Sequence, residues 1–236
     1  MAQLALVRHG QSQWNLEDRF TGWWDVDLTP AGEKEARASG RLLKASGVDF
    51  VRCYASVQKR AIRTLWLALE QMDRVWLPVT KDYRLNERHY GGLTGFNKKE
   101  TAARHGEAQV KIWRRSFDIP PPDLEPGSEF DLSPDPRYRG IEIPKSESLK
   151  TTLARVLPCW TSEIAPKLRA GENILIAAHG NSLRAIVKHL FSVADADITE
   201  VEIPTGNPLL VELDGALKVK SARYLDPARA KPPPPS

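Results

Sequence analysis

The sequence predicts an α/β fold with a mostly parallel central sheet and helices on both of its faces. The first observation is a pair of short, uninterrupted apolar runs, residues 4–7 and 174–178, which are typical of strands buried on both faces. The second is the alternation of such runs with amphipathic helical stretches. The third is the composition, 41% hydrophobic and 27% charged in 236 residues, which suits one large globular domain with a sizeable core.

The elements of the N-terminal half follow from local signals. Thr29 and Pro30 predict a helix start, because a side-chain cap is followed by proline at the first helical position, and Gly47 predicts its end near residue 46. Residues 50–55 predict a second strand. Ser56 is expected to cap the next helix, which runs to about residue 72.

The C-terminal half continues the alternation. Ser146 is expected to open a helical stretch to about residue 169, irregular at Pro158 and Pro166 because proline lacks a backbone donor. The remaining elements are a strand, a helix and two late strands, at residues 174–178, 182–191, 209–213 and 217–222.

One segment interrupts this rhythm. Residues 93–145 contain a helical piece at about 98–117 and then a proline-rich loop, so we interpret them as a lid-like insertion over the C-terminal edge of the sheet. The insertion belongs to a single domain that spans residues 1–225. Residues 226–236 form a proline-rich tail, for which disorder is predicted.

Composition narrows the class of protein. The net charge of +4 is mild and fits either a nucleic-acid surface or an enzyme with anionic substrates. Cys53 and Cys159 form no CxxC pair, which argues against a disulfide framework or a zinc site. The N-terminus lacks a basic segment followed by an apolar one, and no apolar run approaches the roughly 20 residues of a membrane span. We therefore expect a cytoplasmic protein.

The most informative feature is that two predicted strands both end in His-Gly. Residues 4–7 lead into Arg8-His9-Gly10, and residues 174–178 lead into His179-Gly180. Ligands of open parallel sheets bind outside the carboxyl ends of the strands, so both imidazoles would face one site if the strands are neighbours. Two structural histidines, or a metal site, are the alternatives. A metal site would need a third ligand and would not attract arginines.

Cations accompany this pair in the sequence. Arg8 adjoins His9, Arg60 lies near the start of a predicted helix, and Lys98, Arg114 and Arg115 lie in the insertion. Guanidinium groups bind phosphate oxygens in two-point fashion, so this set predicts a phosphate or polyanion pocket. Nearby positive charge also disfavours protonation of an imidazole and would keep His9 neutral and nucleophilic. An ordinary solvated helix face remains the alternative for Arg114 and Arg115.

A carboxylate for general acid–base work could come from Glu87, which stands among polar and aromatic residues in the segment LNERHYG, residues 85–91. Most glutamates are simply solvated, and its position alone leaves that interpretation open.

Residues 4–15, LALVRHGQSQWN, resemble the phosphohistidine motif of the histidine phosphatase superfamily. The ordered set of further motifs resembles the 2,3-bisphosphoglycerate-dependent phosphoglycerate mutases within it, over about residues 4–225. These motifs are RFTGW at 19–23, SVQKRA at 56–61, LNERHYG at 85–91, WRR at 113–115, AAHGNSLR at 177–184 and IPTG at 203–206.

The resemblance implies residue roles. His9 would be the phosphorylated nucleophile, Glu87 the proton donor and acceptor, and His179 the transition-state stabiliser, with Arg8 and Arg60 holding the transferring group. The implied substrate-binding residues are Ser12, Asn15, Thr21, Gly22, Arg88, His89, Tyr90, Lys98, Arg114, Arg115, Gly180 and Asn181.

The implied activity is the glycolytic and gluconeogenic interconversion of 3-phosphoglycerate and 2-phosphoglycerate. It would use 2,3-bisphosphoglycerate as phosphorylating primer and no metal, membrane or nucleic acid, and we expect a homodimer. Two departures from the family pattern are Gln11, where glutamate is frequent, and the short proline-rich tail. The alternatives are a broad-specificity or bisphosphoglycerate phosphatase of the same superfamily and, more remotely, an inactive anion- or nucleic-acid-binding relative.

Overall fold

The structure is a computed structural model that describes residues 1–230. Its six strands are β1 (Ala2–Arg8), β2 (Arg52–Ala55), β3 (Val79–Lys81), β4 (Ile174–Ala178), β5 (Leu209–Leu213) and β6 (Val219–Tyr224). They form one sheet in the order β3-β2-β4-β1-β5-β6. The first four of these strands run parallel, whereas β5 and β6 are antiparallel at one edge. The predicted α/β fold with a mostly parallel sheet is confirmed.

Helices cover both faces of this sheet. The α-helices of the described chain are α1 (Gln13–Leu16), α2 (Pro30–Ala45), α3 (Lys59–Met72), α4 (Lys98–His105), α5 (Glu107–Arg115), α6 (Leu149–Cys159), α7 (Ala165–Arg169) and α8 (Gly180–Phe191). Helices α2 and α3 share one core with Ala5 and Val7, whereas α6, α7 and α8 share the other with Leu4 and Leu6. Successive residues of a strand point to opposite faces, which explains why β1 is apolar without interruption.

Several local signals act as the sequence predicts. The Thr29 side chain caps α2 by accepting a hydrogen bond from the Gly32 N–H, and Pro30 is the first helical residue. Gly47 follows the helix with a φ of +71°, a conformation that glycine adopts at low cost. Strands β4 and β5 begin and end at the residues that the sequence predicts, 174–178 and 209–213.

Two predicted helix starts are wrong. Ser56 does not cap α3, which begins after Gln58; the Ser56 hydroxyl instead contacts His179. The stretch predicted from Ser146 begins after Ser148, whose hydroxyl accepts a hydrogen bond from the Thr151 N–H. The expected irregularity of this stretch is present as a π-helical turn between α6 and α7, at Trp160–Ile164.

The insertion is more broken than predicted. Its helical piece is divided into α4 and α5 at Gly106, which has a φ of +84°. The insertion packs on the N-terminal segment, since Leu93 and Val110 contact Phe20, and Phe130 stands edge-on to Trp14. These contacts bring α4 and α5 beside the carboxyl ends of the parallel strands, where they help to form a cavity.

The chain after β6 differs in part from its prediction. Residues 226–230, expected to be disordered, contain a 3₁₀ helix, Pro227–Arg229. Arg229 donates hydrogen bonds to Asp226 and to the carbonyls of Thr205 and Gly206, which attaches this turn to the domain. The prediction for residues 231–236 falls outside the described part of the chain. Within residues 1–230, no helix combines the length and the hydrophobicity that a membrane crossing requires.

Candidate active site

The two His-Gly segments meet as expected. Strands β1 and β4 are parallel neighbours, with Arg8 opposite Ala178, and the His9 N–H donates to the Ala178 carbonyl at 3.0 Å. The imidazole centroids of His9 and His179 are 5.0 Å apart. The order of strands therefore places both rings in one site at the carboxyl edge of the sheet.

His9 is held as a neutral base. Its Nδ1 lies 2.7 Å from the Gly10 carbonyl, an acceptor, so Nδ1 carries the proton and Nε2 keeps its lone pair. Burial holds the pKa of His9 well below its usual value, and the charges of Arg60 and Arg8 lower that pKa further. Nε2 is consequently available as a nucleophile at neutral pH.

His179 lies behind this nucleophile and is fully buried. Its Nε2 is 2.7 Å from the Ser56 hydroxyl, whereas its Nδ1 has no hydrogen-bond partner among the described residues. When the Ser56 hydroxyl donates to Nε2, Nδ1 carries the ring proton and can donate to an anionic oxygen. Burial, followed by the charges of Arg60 and His9, also holds the pKa of His179 well below its usual value.

Two arginines converge on the same point. Arg60 donates from Nε to His9 Nε2 at 3.3 Å and from its terminal nitrogens to the carbonyls of Gly22 and Trp24. Its burial lowers the pKa to about 10, so it remains charged at neutral pH. Arg8 donates to the Ile203 carbonyl, and its buried Nε has no partner within residues 1–230. Unpaired buried donors of this kind fit an anionic oxygen.

Glu87 is the carboxylate beside these groups. It is only 8% exposed, and its Oε1 accepts hydrogen bonds from the backbone N–H of Arg88 at 2.8 Å and of Asn181 at 3.0 Å. Its Oε2 lies close to the Gly180 backbone, because a Cβ built on Gly180 would be 3.6 Å from it. One oxygen is thus fixed by the protein while the other faces the cavity.

The cavity onto which Arg8, His9, Arg60 and Glu87 open has a volume of about 220 Å³ and is strongly cationic; His179 adjoins His9 and is not part of the cavity wall. Its wall includes seven arginine and lysine side chains and, among the described residues, only two carboxylates, those of Glu87 and Glu202. The lining residues are Arg8, His9, Asn15, Arg19, Phe20, Thr21, Gly22, Arg60, Glu87, Tyr90, Lys98, Arg114, Arg115, Gly180, Asn181, Arg184, Val201, Glu202, Ile203 and Pro204. Such a balance favours a small ligand with several negative charges.

Three of the predicted binding residues are not part of this wall. Ser12 is buried as the N-cap of α1. The Arg88 guanidinium lies 4.7 Å from the centroid of Tyr90 and donates to the Arg114 carbonyl, so it supports the wall from behind. His89 packs against Trp23, and burial lowers its pKa to about 4. A motif that surrounds a site also contains the residues that support it.

The structure also adds residues that the sequence did not single out. Arg19 and Arg184 line the cavity, and Arg184 donates to the Asn181 side-chain oxygen at 3.1 Å. Both lie inside motifs that the sequence shows, RFTGW and AAHGNSLR, so their arginines were a usable signal. Glu202 also lines the cavity and pairs with Arg115 at 2.8 Å; nothing in its sequence context indicated this. We call the part of the wall formed by Lys98, Arg114, Arg115 and Glu202 the mouth of the cavity.

Within residues 1–230 there is no group of three or more His, Cys, Asp or Glu side chains placed to hold a metal ion. The polar groups of the cavity are mostly cationic donors, and these suit phosphate or carboxylate oxygens.

Comparisons with known proteins identify the family of this chain. The sequence model of the histidine phosphatase superfamily (branch 1) matches residues 4–132. The chain is 70% identical over 230 residues to a 2,3-bisphosphoglycerate-dependent phosphoglycerate mutase of Hyphomonas neptunium, covering 98% of this chain and 97% of the relative. It is 66% identical over 225 residues to the protein of the same name from Sphingopyxis alaskensis, covering 95% and 99%.

Solved structures support the fold alone, because their identities are low. A mycobacterial glucosyl-3-phosphoglycerate phosphatase in complex with VO3 superposes with a TM-score of 0.72 at 21% identity, covering 95% of this chain and 97% of that one. Mycobacterial hydrolase 1 superposes with a TM-score of 0.71 at 21% identity, covering 95% and 96%.

Proposed function

The chain belongs to the 2,3-bisphosphoglycerate-dependent phosphoglycerate mutases of the histidine phosphatase superfamily, and from this premise we propose how its residues interconvert 3-phosphoglycerate and 2-phosphoglycerate. The observation that carries the proposal is the neutral His9 with its Nε2 lone pair beside Arg60 and next to the Glu87 carboxylate. The enzyme is an isomerase, and 2,3-bisphosphoglycerate supplies the phosphoryl group that primes His9.

His9 is the group that carries the phosphoryl moiety. When Arg60 Nε exchanges its 3.3 Å hydrogen bond to Nε2 for a phosphoryl oxygen, Nε2 attacks phosphorus in line with the departing oxygen. The proton on Nδ1 stays hydrogen-bonded to the Gly10 carbonyl. Arg8 and Arg60 neutralise the charge on the equatorial oxygens at this point, and the neutral His179 donates a hydrogen bond to them from Nδ1. Because they are already in place before the reaction, little reorganisation is needed in the transition state.

Glu87 handles the proton of the substrate hydroxyl. When His9 transfers the phosphoryl group to this hydroxyl, Glu87 Oε2 takes its proton; when a phosphoryl group returns to His9, Glu87 gives a proton to the departing oxygen. Two backbone N–H groups fix Oε1 and orient the carboxylate for both directions.

The mouth residues hold the rest of the substrate. Lys98, Arg114 and Arg115 come from the insertion and line the same cavity as residues 201–204. Lys98 pairs with Asp18 at 3.0 Å, which positions its ammonium group at the wall. We assign these cations, with Tyr90 and Asn181, to the carboxylate and the second phosphate, since a site for two anionic groups is more than a simple phosphatase needs.

The test is to incubate the protein with 3-phosphoglycerate, a trace of 2,3-bisphosphoglycerate and a metal chelator, and to follow 2-phosphoglycerate and free phosphate together. Primer-dependent isomerisation that chelator does not affect supports the proposal. Release of free phosphate without isomerisation would instead favour a phosphatase. Replacement of His9 by alanine should abolish turnover, and retained mutase activity would rule out the proposed nucleophile.

We also propose that the protein acts in the cytoplasm and forms a homodimer through the face that carries the edge strand β3. Trp66 on α3, together with Val75 and Trp76 just before β3, are 57%, 64% and 68% exposed. A two-fold axis at such a patch would bury the apolar side chains of both copies. Sedimentation velocity should show a dimer that Trp76→Glu weakens; a wild-type monomer at micromolar concentration would contradict it.

A further inference from the structure

The segment that carries Glu87 has little regular structure of its own. After β3 the chain makes a 3₁₀ turn, Tyr83–Leu85, and then continues irregularly through residues 86–90. Buried backbone carbonyls in such a segment need hydrogen-bond donors from elsewhere in the fold. The accuracy with which Glu87 is placed therefore depends on side chains of other elements.

One side chain of α6 supplies most of these donors. Arg155, whose side chain is 10% exposed, donates to the carbonyls of Arg84 at 2.8 Å and of Glu87 at 3.1 Å. The same guanidinium donates to the Asn86 carbonyl from both terminal nitrogens, at 3.2 and 3.3 Å, and to the Tyr83 carbonyl at 3.3 Å. Its planar fork thus holds four backbone carbonyls of one loop.

A buried carboxylate orients this guanidinium. Glu147 accepts hydrogen bonds from Arg155 Nε at 2.7 Å and from a terminal nitrogen at 2.8 Å, and its own side chain is 3% exposed. Glu147 also accepts from the His89 N–H at 2.8 Å. A buried ion pair contributes little net stability compared with an apolar pair of similar volume, so its geometry is the more informative property.

The residue Glu87 is consequently held on three sides. Its N–H donates to the Gln58 side chain, its carbonyl accepts from Arg155, and its Oε1 accepts from two backbone N–H groups. Asn181 lines the cavity, and Gln58 also donates to the carbonyl of the lining residue Gly22, whereas Arg155 is not part of the cavity wall.

Resting on the proposed role of Glu87, we propose that the Arg155–Glu147 pair is a positioning device that sets the distance between the Glu87 carboxylate and the substrate oxygen. A lysine at position 155 keeps the charge and can reach Glu147, but it cannot present five donors in one plane. The Arg155→Lys variant therefore leaves the loop carbonyls underbonded and displaces Glu87. Displacements of about 1 Å at such groups reduce rates by about 10²-fold.

Phosphoryl donors with different leaving groups can distinguish a displaced Glu87 from a general loss of structure. When His9 takes a phosphoryl group from 2,3-bisphosphoglycerate, the P–O bond breaks, the N–P bond forms and the departing alkoxide needs a proton from Glu87. When the donor is p-nitrophenyl phosphate, p-nitrophenolate departs without a proton. Loss of the acid should therefore slow the first reaction and spare the second.

The experiment measures phosphohistidine formation in single turnovers with each donor, for wild type, Arg155→Lys, Glu87→Gln and the double variant. We expect Arg155→Lys to lower the rate with 2,3-bisphosphoglycerate by about 10²-fold and the rate with p-nitrophenyl phosphate by less than about threefold. The double variant should resemble Glu87→Gln, because both changes remove the same function. Thermal unfolding of each variant is recorded in parallel.

Arg84→Lys is the matched control, since Arg84 pairs with Asp82 in the same loop and its side chain does not touch residues 86–87. Any change in the rate of phosphohistidine formation in this variant should be the same with both phosphoryl donors. Equal losses with both donors in Arg155→Lys, or additive losses in the double variant, would overturn the positioning role. If Glu87→Gln itself shows no dependence on the donor, the proposed role of Glu87 fails instead.

Discussion

The ion pair at the mouth allows a quantitative test of how the cavity recognises anions. Arg115, on the insertion, pairs with Glu202, on the facing loop, at 2.8 Å. Both residues line the cavity. A substrate anion that binds Arg115 must therefore displace the Glu202 carboxylate, or share the guanidinium with it. Replacement of Glu202 by glutamine removes the competing charge and should strengthen the binding of 3-phosphoglycerate.

The size of the effect follows from exposure. The side chains of Arg115 and Glu202 are 32% and 46% exposed, and ion pairs of this kind contribute about 0.2–1 kcal/mol. Loss of that competition corresponds to a dissociation constant lower by a factor of about 1.4–5. The gain should diminish in about 1 M salt, because the screening length then falls to about 3 Å.

The assay is calorimetric titration of unphosphorylated enzyme with 3-phosphoglycerate at low and at high ionic strength. Glu163→Gln serves as the control, since Glu163 pairs with Lys167 at 3.5 Å outside the cavity wall and its loss changes the net charge equally. Unchanged or weaker binding in Glu202→Gln would refute the competition. An equal gain in both variants would assign the effect to net charge alone.

Three further predictions concern pH and packing. Because burial, Arg60 and Arg8 hold the pKa of His9 well below its usual value, lowering the pH from 8 to 6.5 should not reduce kcat/KM through protonation of His9, and a pH–rate profile will check this. His89 has a pKa of about 4 when folded and about 6.5 when unfolded, so the unfolded chain binds the proton first as the pH falls. The free energy of unfolding should therefore decrease by about 3 kcal/mol between these two pH values. Urea unfolding at a series of pH values should show that the dependence of this free energy on pH is smaller by up to one proton in His89→Asn. Gly40→Ala should destabilise the protein by about 1–3 kcal/mol, because its Cβ would lie 2.3 Å from the Ala68 carbonyl oxygen between α2 and α3, whereas Gly215→Ala, with open space around it, should leave the unfolding midpoint unchanged.

How well the sequence predicts an element depends on how far apart in the chain its interacting residues are. The α2 cap at Thr29 was predictable because capping depends on a few neighbouring residues. Ser56 was misassigned because a serine before a helix suggests a cap. Helix α3 begins only after Gln58, and the Ser56 hydroxyl accepts from the Gln58 N–H and contacts the distant His179. Strand β3 escaped prediction because its three residues, two of them exposed, carry too short an apolar signal.

The candidate site shows the same division. His9, Glu87 and His179 could be selected because they stand in recognisable motifs, and the cavity contains or adjoins all three. Arg88 and His89 share a motif with Glu87 but point behind the wall. A motif records which residues are needed together, and it does not record on which side of the backbone each one lies.

The sequence by itself determined the alternation of strands and helices and the two strand ends that carry histidine. Apolar periodicity and turn formation depend on residues that are close together in the chain. It also indicated an anionic ligand through its arginines. Only the tertiary structure decided that Glu202 faces Arg115 and that Arg155 holds the loop of Glu87. These partners are 87 and 68 residues apart in the chain. The packing of α5 against Phe20 and of α6 on the sheet brings them together.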